Sequence, residues 1–114
     1  MSDAIALRRQ LKIKTGVANR LGKEVGVYRK EVAQLEEKRD QLIKDGHPED
    51  EWDVKNTTRM KQESEKMIHD TASRLEAAIE DLRTLIENAK KAGLNEDEEL
   101  RNAEEALKSV TDTI

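Results

Sequence analysis

The chain has 114 residues, a net charge of −4 and 40% charged residues, and it contains no Cys, no Phe, one Trp and one Tyr. Without Cys there is no disulfide, no thiolate zinc site and no thiol nucleophile. High charge with so few aromatics argues against a compact mixed core or a deep ligand cavity, and marks long helices packed along seams.

The first helix is expected to start at Ser2 or Asp3, both good N-cap residues, and to run to about Asp45. Steps of three and four from Ala4 return Leu7, Leu11, Lys14, Ala18, Leu21, Val25, Tyr28, Val32, Leu35, Arg39 and Leu42, with only Lys14 and Arg39 polar. That is the period of helices sharing an apolar seam. Gly46 suits a left-handed position after the helix, and Pro48 forbids its continuation. Some 42 residues make a rod of about 60 Å. Gly16, Gly22 and Gly26 lie inside it, each costing about 1 kcal/mol relative to Ala. Gly22 and Gly26 are one turn apart, placed either to admit a close helix or to sit tolerated on the surface.

The second helix is expected over about 52–92. Glu51 and Asp53 favour its start through the helix dipole. Lys90, Lys91 and then Gly93 supply its stop. Its apolar positions include Ile68, Leu75, Ala78, Leu82, Leu85, Ala89 and Ala92, with Thr71 as an exception. Earlier along the same line stand Thr57, Lys61 and Ser64, a polar gap. The third helix is expected over about 96–112, along Leu100, Ala103, Leu107, Val110 and Ile114. Asn95 with Glu98 reads as a capping box, and the run Glu96–Glu99 suits the first turn.

Two short loops impose antiparallel neighbours. The expected fold is all-α: one domain over residues 1–114, an antiparallel three-helix bundle with two long helices and a shorter third. The third helix folds back from the end of the second and is too short to reach the Gly46–Asp50 turn. One half should then contain three helices and the other two. The polar gap falls in the two-helix half, together with Trp52, Met60 and Met67.

Catalytic readings find no support. His47 and His69 are far apart and neither has a nearby nucleophile. Glu65 and His69 share a helix face, but the paired Glu-x-x-His motifs of bundle metal sites are missing. There is no phosphate-cradling glycine loop and no Gly-x-Ser-x-Gly elbow. No enzyme activity, metal or cofactor is expected. Nucleic-acid binding is disfavoured because Tyr28 is the only aromatic near the basic residues and lies on the seam. Charges interrupt any apolar run at the N-terminus, and no run approaches the roughly 20 residues a membrane span needs. A soluble cytoplasmic protein is expected, with no nucleic-acid or membrane partner.

Charge is unevenly placed. Residues 1–30 carry eight Lys/Arg against Asp3 and Glu24, a balance of +6, so the remainder carries −10. A basic first half-helix can steer an acidic partner into contact. Lys14 is the most pointed position, because it interrupts the seam. A snorkelling side chain, whose stem packs while its ammonium reaches water, is the plainer account of it.

Several stretches carry a family resemblance. They are Leu11-Lys12-Ile13-Lys14-Thr15-Gly16-Val17, Asn19-Arg20-Leu21, Lys23-Glu24 and Tyr28-Arg29-Lys30-Glu31. The likeness resumes at Gln62-Glu63-Ser64, Met67-Ile68, Arg74-Leu75-Glu76-Ala77-Ala78, Asp81-Leu82 and Leu85. In order and spacing the chain resembles the tubulin-binding cofactor A family, also called tubulin-specific chaperone A. The resemblance implies a three-helix bundle that captures β-tubulin after its release from the cytosolic chaperonin. Such a cofactor holds the monomer near-native and passes it to other tubulin-folding cofactors for pairing with α-tubulin, without nucleotide hydrolysis. Helical faces, more than loops, make the contact. One departure is visible: where family members often carry proline after Met-Ile, this chain has His69, which leaves two alternatives, a straighter second helix or a mild bend at Thr71 and Ser64.

The candidate partner-binding residues are Lys12, Lys14, Arg20, Lys23, Tyr28, Arg29, Lys30, Met60, Glu63 and Met67. Tubulin is acidic, so the basic part of the first helix fits it in sign. The two-helix half offers a second surface, for the client or for another copy of the chain; a monomer or weak homodimer is expected. The alternative from another class is a coiled-coil adaptor or tether, which would more naturally keep its heptads in one continuous rod.

Overall fold

The computed structural model describes residues 2–114. Three helices follow in order: α1 (Ser2–Lys44), α2 (Trp52–Lys91) and α3 (Glu98–Thr111). The chain is all-α, with two long helices and a shorter third, as the seam periodicity requires. The cap expected at Ser2 falls on a side chain outside the described residues, and Asp3 lies in the first turn of α1. Helix α2 runs through His69 as one unbroken helix.

Both long helices end as their glycines dictate. Gly46 and Gly93 have φ of 95° and 83°, the left-handed region that glycine enters without a Cβ penalty. The amide of His47 bonds to the Leu42 carbonyl and that of Gly46 to Ile43, each at 3.0 Å. After α2 the same pair recurs, Leu94 to Ala89 at 3.0 Å and Gly93 to Lys90 at 3.1 Å. These are Schellman closures, which satisfy carbonyls that a helix end otherwise leaves open.

Helix α3 departs from the expected start. Its N-cap is Asp97, with extended backbone (φ −72°, ψ 136°), and not Asn95. The Asp97 Oδ1 accepts from the Glu99 amide at 2.9 Å, so Glu98 does not complete a capping box. The reason is tertiary. The other carboxylate oxygen, Oδ2, accepts from Nε of Arg8 at 2.5 Å, which fixes Asp97 as the residue that opens the helix.

The chain divides into two compact units. Unit 1 comprises residues up to Lys23 with Ala72–Ile114, and unit 2 comprises Glu24–Thr71. Unit 1 is a three-helix bundle. Its buried apolar residues are Leu11, Ala18 and Leu21 of α1, six of α2 (Leu75, Ala78, Ile79, Leu82, Ile86 and Ala89), and Leu100, Ala103, Ala106 and Val110 of α3.

 Arg8 meets Asp97 near the start of α3, and Gly22 meets Val110 near its end, so α1 and α3 run parallel here and α2 runs against both. A Cβ added at Gly22 would stand 3.2 Å from Val110 Cγ1, whereas Gly26 has open space around it. Gly22 therefore serves the close approach of α3, and Gly26 is a tolerated surface glycine.

Unit 2 is a helical hairpin made from the end of α1, the Gly46–Glu51 turn and the start of α2. Its buried apolar residues are Val25 and Val54 alone among those described. Thr57, Ser64 and Thr71 are buried beside them. The polar gap in the seam is thus interior, not surface. Thr57 satisfies its hydroxyl locally, donating to its own helix at the Asp53 carbonyl at 2.8 Å. Lys61 is half-buried and reaches Glu36 at 3.6 Å, and Arg39 donates to Thr58 Oγ1 at 2.9 Å. The seam positions Lys61 and Arg39 thereby become polar ties between α1 and α2.

Candidate protein-binding surface

In unit 1, α1 presents an outward row at steps of four, three, four, four and three: Ile5, Arg9, Lys12, Gly16, Arg20 and Lys23. All six are exposed. No carboxylate interrupts the row, and Arg9, Lys12, Arg20 and Lys23 have no side-chain partner among the described residues. Ile5 is 60% exposed, and Ile13 beside the row is 49% exposed. The row therefore joins four unpaired cations to apolar surface. Lys14 does not belong to it. Its Nζ lies 3.3 Å from Asp81 Oδ2, so it ties α1 to α2 instead of snorkelling freely.

In unit 2 the remaining candidates occupy two helices. Tyr28 of α1 is half-buried, like Val32 and Leu35, while Arg29 and Lys30 are exposed. On α2, Met60, Glu63 and Met67 share one exposed face. Trp52 lies on that same face, four and eight residues before Asn56 and Met60, and it is 72% exposed. It was absent from the sequence candidates because it precedes the seam. The four-four-three-four spacing of Trp52, Asn56, Met60, Glu63 and Met67 was the signal that would have found it.

Two titrating groups mark the ends of helices. The Arg8 guanidinium, hydrogen-bonded to Asp97, holds that carboxyl below its ordinary range, with help from the Glu99 amide. His47 is raised above its ordinary value, chiefly by its hydrogen bond to Glu51, whose carboxylate oxygens both lie 2.9 Å from Nδ1. Both are structural ties at turns. Among the described residues, no group of three or more His, Asp or Glu is placed to hold a metal ion. Among the described residues, no helix is long and apolar enough to cross a membrane.

The fold and these surfaces define a helical-bundle protein whose exposed chemistry suits protein binding. The tubulin binding cofactor A family model matches residues 6–107. Human tubulin-specific chaperone A is 46% identical over 103 residues, covering 90% of this chain and 91% of the relative. The tubulin-folding cofactor A of Arabidopsis thaliana is 34% identical over 106 residues, covering 93% and 92%. Among solved structures, human tubulin chaperone cofactor A superposes with a TM-score of 0.78 at 44% identity, covering 92% of this chain and 98% of that one. The Arabidopsis thaliana cofactor A crystal structure gives a TM-score of 0.80 at 32% identity, covering 95% and 98%. The chain belongs to the tubulin binding cofactor A family.

Proposed function

We propose that this protein is a cytoplasmic tubulin-folding cofactor that binds β-tubulin after chaperonin release. It holds the monomer near-native and passes it toward assembly with α-tubulin, by binding alone and without catalysis. The observation that carries this reading is family membership along nearly the whole chain, from residue 6 to 107. The physical support is the outward row of α1 in unit 1. Its cations suit an acidic client, and exposed Ile5 and Ile13 add apolar contact that outlasts screening by salt.

Co-purification from a eukaryotic lysate tests the reading. The protein should retain β-tubulin without stoichiometric α-tubulin. Reversing Lys12, Arg20 and Lys23 to Glu should weaken retention and flatten its salt dependence. Failure of the unaltered protein to retain β-tubulin would reject the function. Undiminished retention by the reversed variant would reject the role of the basic row.

A further inference from the structure

The outward face of α2 in unit 2 combines features that the proposed function leaves unused. Trp52 is 72% exposed, Met60 39% and Met67 38%. With Asn56 and Glu63 between them, they form a stripe at helical spacing, about 22 Å long at 1.5 Å per residue. Arg59 donates to Asn56 Oδ1 at 2.6 Å, and Asn56 approaches Met60 Sδ at 3.7 Å, so neighbouring members of the stripe are already held together.

One edge of the stripe is basic. Lys55, Arg59 and Lys66 follow at steps of four and seven. Lys55 and Lys66 have no side-chain partner among the described residues, and Arg59 bonds only the neutral Asn56. Trp52, Lys55, Asn56 and Arg59 line a shallow groove. Of the four carboxylates at this end, Glu51 is engaged with His47 and Glu49 with Arg39, while Asp50 and Asp53 are exposed, Asp53 on the side of Trp52 away from Lys55 and Arg59. Glu63 is the one carboxylate within the stripe, which confines the basic character to the Trp52 end and to Lys66.

We infer that this face is a second client-docking surface, and that it takes an amphipathic helix of the client with carboxylates along one edge. The inference rests on the proposed function and adds a place and a chemistry to it. An apolar stripe at steps of three and four is what a partner helix packs against. Unit 2 has only two helices, so the face has no third helix of its own unit against it. Lys55 and Arg59 beside the indole select an acidic edge, and a large aromatic at the end of the stripe is the kind of residue that anchors an interface. Because Trp52 is mostly in water, truncating it removes little internal packing.

The single Trp makes the test direct, since 5-fluorotryptophan labelling gives one fluorine resonance. On binding β-tubulin, the fluorine should lose access to a soluble paramagnetic relaxation agent. Trp52→Ala should weaken binding about tenfold or more, the scale of an interface anchor. Lys55→Glu with Arg59→Glu should weaken it too, while Trp52→Phe should recover most of the affinity. If β-tubulin is retained with the fluorine still exposed and Trp52→Ala binds equally well, this face is rejected and the capture reading stands. If the unaltered protein retains no β-tubulin, both fall. Protection that appears on raising the protein concentration alone would assign the face to a second copy and overturn the inference.

Discussion

Units 1 and 2 draw on the same two long helices and bury different chemistry. Unit 1 encloses Leu11, Leu75, Leu82 and Leu100 at 0–1% exposure, with small residues such as Ala18, Ala89 and Ala103 between them. Unit 2 encloses Val25 and Val54, then Thr57, Ser64 and Thr71. A fully buried Leu contributes roughly 1.5–3 kcal/mol through burial, while a buried hydroxyl bonded to its own helix contributes little net. The difference teaches that a long helix need not be equally stabilised along its length. Unit 1 has the packing to hold the fold, and unit 2 keeps apolar surface on Trp52, Met60 and Met67 available to a partner.

The largest expected effect lies in unit 1. Leu82→Ala should destabilise by about 2–5 kcal/mol, the range for emptying a fully buried site, as read by denaturant unfolding. A cost below about 1 kcal/mol would break the comparison. Asp97→Ala should cost about 1 kcal/mol by removing the α3 cap. Because the folded-state carboxyl is depressed, its contribution is present above the ordinary Asp range and is lost as pH falls through the folded value. Stability of the unaltered protein should therefore fall more steeply on acidification than that of Asp97→Ala.

The glycines sharpen the same contrast. Gly26→Ala should stabilise by about 1 kcal/mol, since it gains helix propensity in open space. Gly22→Ala should gain less or lose, because Val110 stands 3.2 Å from the new methyl and is stiff at χ1. Equal thermal shifts would remove the close approach from the account. The smallest effect is expected at Thr57→Val, a stabilisation of up to about 1 kcal/mol. The hydroxyl bonds only the Asp53 carbonyl, and a methyl improves the interior of unit 2. Destabilisation would show that the hydroxyl matters beyond that local bond.

Much of the fold was legible in the sequence because its signals are local. The three-and-four spacing gave the helices, and Gly46 and Gly93 gave their ends through left-handed backbone that other residues resist. The position of the polar gap in the two-helix region also followed from helix length. What was not legible depends on contacts distant in sequence. Asp97 caps α3 in place of Asn95 because Arg8, 89 residues away, holds it. Lys14 reads from sequence as a snorkelling or partner-facing interruption of the seam, and its contact with Asp81, 67 residues away, is not legible there. Trp52 is legible as a residue of the two-helix half but falls outside the binding candidates, because it opens α2 off the counted seam.

Residue-resolved hydrogen exchange on the free protein tests the division most directly. Amides of α2 from Leu75 to Ala89, in unit 1, should be the most protected, and those of residues 54–71, in unit 2, should exchange faster through local opening. Equal protection along α2, or slower exchange in unit 2, would contradict the account.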